Sequence, residues 1–255
     1  MLEHTFIHAE GVGPTTERRL WSTGSHTWDA FLRRHEAGEL SPRLRRLAPF
    51  VEQSRQALEQ RDLEFFSRSL PPSEMWRLFG TFGDQAAYLD IETTGFSADY
   101  DEVTVIGLYD GTSFRAFVRG HNLMDFPRAV ARCPLLVSYN GSTFDLPFLR
   151  RTFPSFAPRA HLDLRYPLRR LGYDGGLKDI ERTVGIRRPP HLRDVDGSEA
   201  IFLWHQYRRG RAGALQRLIE YTQYDVMNLV MLAERVATEM PNRIGAPARD
   251  FAALP

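Results

Sequence analysis

The sequence predicts an α/β fold: a mixed sheet flanked by helices, behind a mainly helical N-terminal appendage. Three observations carry this expectation. Residues 1–85 show apolar positions at helical spacing, with Leu44, Leu47, Phe50 and Val51 recurring on one face. From about Gln85 the pattern changes to short apolar runs of strand length bounded by turn residues. Beyond Ser138, short strands and helices alternate, as a mixed sheet requires. The boundaries read from this are a helical appendage over 1–85, an α/β domain over 86–240 and an irregular tail over 241–255, where Pro241, Pro247 and Pro255 fall.

Element by element, Thr27 caps a predicted helix over Trp28–His35. A long helical stretch runs from about Pro42 to Leu70, closed by Pro71-Pro72, and a short turn comes next around Glu74–Phe79. The appendage is read as packing on the core and guiding substrate. Strands are expected at Ala86–Ile91, Val103–Leu108, Phe114–Val118 and Leu135–Ser138. Asp110-Gly111 makes the second and third a hairpin. Ala160–Leu164 is strand-like. Helices are expected at Leu146–Arg151, Tyr166–Leu171, Leu177–Val184, Gly197–Tyr207 and about Ala214–Glu239.

Composition bounds the class. With 42% hydrophobic and 25% charged residues, the chain reads as an ordinary globular protein. No apolar stretch approaches the length of a bilayer span, so no membrane association is expected. Met1–Gly11 carries Glu3 and Glu10 and no basic start before an apolar core, so no secretory signal is expected. Cys133 is the single cysteine, which excludes an internal disulfide and fits a reducing cytoplasm. Net charge is only +1, but residues 86–145 carry a balance of −4 and residues 146–220 one of +7. An acidic stretch followed by a basic one suits a metal centre beside a phosphate-binding wall; a solvated arginine-rich surface is the plainer reading. Lys178 is the lone lysine among 33 basic residues, a compositional bias and no sign of arginine-specific recognition.

Three short segments carry chemistry. In Tyr88-Leu89-Asp90-Ile91-Glu92-Thr93-Thr94-Gly95 a strand ends in Asp-x-Glu, and strand alternation puts Asp90 and Glu92 on one face with Ile91 turned to the core. Two adjacent carboxylates repel unless a positive charge lies between them, and hard oxygen ligands favour magnesium or manganese. Taken alone, the pair reads as a surface pair. In Ser138-Tyr139-Asn140-Gly141-Ser142-Thr143-Phe144-Asp145 a strand runs into a helix start, and Asp145 alone reads as an N-terminal capper. On the last helix Tyr221, Asp225 and Asn228 share one face, an ordinary polar stripe by itself. However, Leu229 and Leu232 continue that face, which leaves Asp225 without a local ion-pair partner.

Together, in this order, the segments resemble the three motifs of the DnaQ-like 3′–5′ exonuclease superfamily, with its ribonuclease-H-like fold. The motifs are Asp-x-Glu (Asp90, Glu92), Asn-x3-aromatic-Asp (Asn140, Phe144, Asp145) and Tyr-x3-Asp (Tyr221, Asp225). The tyrosine marks the branch called DEDDy; the histidine branch would place histidine at the position of Glu220. Phe6–Trp21, Trp76–Phe82, Leu177–Glu181 and Ala200–Tyr207 also look like segments of bacterial stand-alone YprB-type ribonuclease-H-like proteins.

The resemblance implies two divalent cations, Mg or Mn, held by Asp90, Glu92, Asp145 and Asp225. Asp90 would bridge both ions, Glu92 and Asp225 would hold the ion carrying the attacking water, and Asp145 would hold the other. Tyr221 would orient that water. With an unperturbed pKa of about 10, it is a poor base. The implied partner is nucleic acid, as single-stranded DNA or RNA 3′ ends. Thr93, Thr94 and Gly95 are candidates to line the terminal nucleotide. Phe96 reads equally as a wedge against substrate and as a core residue. Asn140 either contacts substrate or braces its turn. Lys178 is a phosphate contact or an ordinary surface lysine, and Asp163 is a candidate carboxylate behind the metal ligands. Trp204 and Tyr207 lie in an aromatic and arginine-rich run that suits single strands, though a core-facing pair fits their spacing better. Gly11-Val12-Gly13-Pro14 resembles the hairpin of a helix-hairpin-helix motif, with little chain before it. Competing functions are a degenerate fold that only binds nucleic acid, a regulatory subunit, or an endonuclease of the same metal chemistry.

Overall fold

Five strands form one sheet in the order β3-β2-β1-β4-β5, built from Ala86–Thr93 (β1), Val103–Tyr109 (β2), Phe114–Val118 (β3), Leu135–Ser138 (β4) and Ala160–Asp163 (β5). The computed structural model describes residues 1–192 and 197–247. The chain separates into two compact units: Met1–Gly83 with the residues from Ala237, and Asp84–Val236. No helix among the described residues is long and apolar enough to cross a membrane.

In the second unit, β1 pairs antiparallel with β2, and β2 antiparallel with β3. Asp110 folds the hairpin turn by accepting from the amides of Thr112 (3.1 Å) and Ser113 (2.9 Å), and Gly111 takes the left-handed conformation at φ 88°. On its other side β1 runs parallel to β4, and β4 parallel to β5. All of β1 except Asp90 is buried, as befits a central strand covered on both faces.

Helices Phe126–Val130 (α7) and Asp145–Thr152 (α8) cover one face of the sheet. There Leu89, Ile91, Ile106, Phe126, Leu136 and Phe148 form a core. Helices Gly197–Arg208 (α11) and Ala214–Ile244 (α12) contribute to the second core, where Val105, Val118, Leu203, Trp204 and Leu218 meet. Between α8 and α11 lie Arg165–Leu171 (α9) and Leu177–Val184 (α10). Trp204 and Tyr207 are a core-facing pair, with ring centroids 5.3 Å apart.

The first unit contains Pro14–Ser22 (α1), Trp28–Glu36 (α2), Pro42–Arg45 (α3), Ala48–Glu59 (α4), Leu63–Ser69 (α5) and Phe79–Phe82 (α6). The helical stretch expected from about Pro42 to Leu70 divides into three helices. Arg61 adopts a left-handed φ of 52°, and Asp62 caps the next segment by accepting from the Phe65 amide at 3.0 Å. Pro72 opens a 3-10 helix over Pro72–Leu78. Helix α1 was not expected: Pro14 starts it at the first-turn position that suits proline, but its apolar face is narrow. Among the described residues, the Gly11–Pro14 segment follows a 3-10 turn, Leu2–His4, and leads into α1. Helix α7 is short and was also not expected.

Phe6, Trp28, Phe31, Phe66 and Phe82 are buried in this unit. So are three charged groups. Glu17 accepts from the amides of Phe6 (2.7 Å) and Ile7 (3.0 Å), and from Arg77 Nη2 at 2.8 Å. Arg77 also donates to Glu74 at 2.7 Å. Removing one partner from such a buried network typically costs about 3–5 kcal/mol. Helix α12 continues past Met240, through Pro241, to Ile244, where an irregular tail was expected. Met240 is fully buried, so packing carries the helix beyond the proline. Residues 248–255 of that expected tail lie outside the described residues.

Candidate metal centre

Alternation along β1 sends Leu89 and Ile91 into the core with α8 and turns Asp90 and Glu92 to the opposite face, where α12 packs. That helix approaches closely because Gly107, the register partner of Asp90 on β2, has no side chain. A Cβ at Gly107 would lie 2.7 Å from Thr222 Cγ2 and 2.9 Å from Val226 Cγ2. The approach lets the Thr222 hydroxyl donate to Glu92 Oε1 at 3.0 Å. Three residues on, Asp225 reaches the same point. Asp90, Glu92 and Asp225 each bring one oxygen to within 4.8 Å of the others.

Asp145 arrives by a different route. After β4 the chain turns sharply at Asn140, which holds a left-handed φ of 63°. Gly141 comes next by necessity, since a Cβ there would stand 2.0 Å from Ser138 Oγ. Asp163, buried at the end of β5, clamps the turn by accepting from the amides of Asn140 (2.7 Å), Ser142 (2.9 Å) and Arg165 (3.1 Å). Helix α8 then starts with Asp145 in its first turn, and no side chain caps it, so the capper reading of Asp145 does not hold. Asp145 stands outside the trio that closes within 4.8 Å. Its Oδ1 is buried without a hydrogen-bond partner among the described residues.

The electrostatics are those of a centre short of positive charge. Loss of hydration holds Asp90 and Glu92 well above the usual carboxylate range, and the neighbouring Asp225 raises both further. Asp145 is pushed up to about 8, chiefly by burial, with the amides of Asp145 and Ile91 pulling the other way. Burial also raises Asp225, against the pull of Arg188. Arg188 is the main internal counter-charge. It is buried, ion-paired to Asp225 through Nη2, and donates to both oxygens of Glu181, at 2.6 and 2.5 Å. Asn228 steadies Glu181 from α12 at 3.0 Å. Lys178 Nζ lies 4.6 Å from the centre of the Tyr221 ring, and the Arg188 guanidinium 5.6 Å from it. Buried carboxylates in excess of their cations, one with an orphaned oxygen, fit a hard divalent cation.

Tyr221 is buried, and burial raises its hydroxyl pKa, so the hydroxyl keeps its proton. Thr93 donates to the Gly95 carbonyl. Thr94 donates to Asp101 at 3.2 Å, and a Cβ on Gly95 would meet that same carboxylate at 2.5 Å. This turn is thus folded around Asp101. Phe96 is 67% exposed, which overturns its core reading. Asn140 Oδ1 accepts from Thr143 (2.8 Å) and from Arg165, so it braces its own turn. Lys178 faces the centre and is no ordinary surface lysine. Sequence reasoning missed Arg188, Glu181, Thr222 and Gly107. Glu181 had a signal, since it lies three residues beyond Lys178, at helical spacing; Arg188 was hidden among many arginines.

A family model described as the RNase_H superfamily matches residues 87–237. Among solved structures, the chain is similar to a family B DNA polymerase from the hyperthermophilic archaeon Pyrobaculum calidifontis. The identity is 18% and the TM-score 0.48, over 59% of this chain and 24% of the polymerase. It thus spans about a quarter of that chain. Brucella melitensis NrnC, solved also with bound Mg2+, is similar at 19% identity and a TM-score of 0.44, over 69% of this chain and 92% of NrnC. No curated protein matches.

The geometry of the helix approach and the burial of Asp145 each set an expected outcome. Gly107→Ala forces Thr222 and Val226 away from the sheet; it is expected to cost about 1–3 kcal/mol in denaturant unfolding and to weaken metal binding measured by calorimetry. For Asp145 the sign is set by a folded-state pKa of about 8 against an ordinary value of 3.8. Between those values the folded chain keeps a proton that the unfolded chain has released, so stability falls as pH rises through the window. In metal-free buffer, Asp145→Asn should therefore raise the melting temperature more at about pH 8.5 than at about pH 5. Equal gains at both would show that Asp145 ionises normally.

Proposed function

The chain belongs to the RNase_H superfamily, and from that premise we propose that it is a two-metal 3′–5′ exonuclease acting on single-stranded or frayed nucleic acid. One observation carries the reading: Asp90, Glu92 and Asp225, brought within 4.8 Å of one another with their pKa values raised. The RNase H-like nuclease fold and the buried acidic cluster supply the frame.

In this reading Asp90, Glu92, Asp145 and Asp225 hold two divalent cations. When bound, such ions polarise the phosphodiester and acidify the attacking water. Asp90 stands among the other three carboxylates, each of which raises its pKa, and would hold the ions together with them. Burial and the neighbouring carboxylates raise the Tyr221 hydroxyl pKa, which suits it to act as a hydrogen-bond donor. Lys178 presents positive charge toward the phosphate. Phe96 and Tyr100, 67% and 87% exposed just beyond β1, offer rings for the bases of a terminal strand. The single, half-buried Cys133 agrees with a reducing cytoplasm.

A second reading, a nuclease fold that binds nucleic acid without cutting it, has one observation in its favour. Arg188 already neutralises Asp225, where a metal ligand should be available. A digestion panel separates the readings. With magnesium or manganese, end-labelled DNA or RNA should shorten stepwise from the 3′ end, with no cleavage in EDTA and none of a circular single strand. Nicking of the circle would identify an endonuclease; binding without cleavage would favour the second reading.

In the same assay Asp90→Asn should retain no more than a few per cent of the activity while the fold is kept. It should also lose most of the metal-induced rise in melting temperature. Tyr221→Phe removes one positioned hydrogen bond and should lower the single-turnover rate about ten- to a thousand-fold, with metal and oligonucleotide binding unchanged. Unchanged turnover would remove Tyr221 from the catalytic set.

A further inference from the structure

We propose that a cavity of about 460 Å3 lined by Tyr139, Arg165, Arg169 and Tyr173 takes one nucleotide of the substrate strand, its base on the tyrosine rings and its phosphate on the arginines. The inference rests on the nuclease reading and deepens it.

Strands β1 and β4 run parallel with Tyr88 paired to Val137, and two residues on come Asp90 and Tyr139, at the same end of the sheet. Neighbouring strands are about 4.8 Å apart. Through Tyr139 the cavity lies at the same end of the sheet as the acid centre, at the carboxyl ends of parallel strands, where open α/β sheets bind their ligands. Its volume falls within the range of about 300–1,000 Å3 usual for small-molecule sites.

The walls are held in place. The Tyr139 hydroxyl donates to the Gly175 carbonyl at 2.6 Å, and the Tyr173 hydroxyl accepts from Arg235 at 3.1 Å. Both rings are thus fixed by their polar ends, and fixed rings stack at low entropic cost. Gly175 has a φ of 110° and a Cβ there would meet Asp179 at 2.9 Å, so the loop carrying the far wall needs glycine.

The charges are poised for an anion. Arg165 is held by Asn140 Oδ1 and makes no ion pair among the described residues. Asn140 maintains a left-handed backbone to do this, and Asp163 clamps it there; strain kept by a braced residue marks a functional position. Arg169 pairs with Asp174 at 3.5 Å with both side chains largely exposed, a weak contact that a phosphate can replace.

The test is fluorescence anisotropy with a labelled single-stranded hexamer whose phosphorothioate linkages resist cleavage, with magnesium and again with EDTA. The double variant Arg165→Ala/Arg169→Ala should bind at least tenfold more weakly than the wild type, with its melting temperature and magnesium-induced shift unchanged. An abasic residue moved along the hexamer should weaken wild-type binding several-fold at one position, and should have no effect there in Tyr173→Ala. Equal affinity of the arginine variant and wild type, or no position coupled to Tyr173, would overturn the site. A free nucleoside monophosphate that binds wild type as tightly as the hexamer does would overturn its assignment to the strand. Absence of cleavage by the wild type, with these binding results intact, would sink the nuclease reading and leave the nucleotide site standing.

Discussion

Repulsion among carboxylates at the end of a central strand is the constraint around which the second unit is arranged. Two unit charges at the 4.8 Å limit of the trio repel by roughly 3.5 kcal/mol at an effective dielectric of about 20. Burial adds the loss of hydration. The folded chain relieves this strain in three ways: raised pKa values keep protons on some of the acids, Arg188 ties down Asp225, and Thr222 donates to Glu92. Glu181 and Asn228 matter because they hold the arginine, and with it the balance between internal and external cations. A site that keeps its acids together despite this cost is tuned to accept positive charge from outside.

Close approach, more than any single bond, delivers these groups. Gly107 lets α12 touch the sheet, Gly141 lets the chain reverse after β4, and Asp163 converts that reversal into a rigid turn through three backbone amides. The same turn places Asp145 on one side and Asn140, with Arg165 in hand, on the other. Acid centre and cationic cavity are therefore two outputs of one structural device. Damage to the turn should register at both.

Much of this was legible in the sequence. Period-two alternation fixed which face of β1 carries Asp90 and Glu92, and the Asp-Gly pair marked the hairpin. Motif order supplied Asp145 and Asp225. What escaped notice depended on distance along the chain. Arg188 meets Asp225 across 37 residues and Thr222 meets Glu92 across 130, and no local pattern encodes either contact. Gly107 read as an ordinary strand residue, because only the packed helix shows why a methyl group does not fit. In the first unit the helical stretch expected from Pro42 to Leu70 is interrupted at Arg61. Its left-handed backbone serves the Asp62 cap that starts the next helix and owes nothing to any propensity of arginine.

In the proposed function these buried acids exchange protons for divalent cations. Calorimetric titration of magnesium into the metal-free chain near neutral pH, repeated in two buffers of different ionisation enthalpy, measures that exchange directly. Carboxylates held protonated by burial must release protons as the ion enters. The observed heat should therefore differ between buffers, with proton release shrinking as the starting pH is raised. Binding whose heat is independent of the buffer, or no binding, would contradict the account.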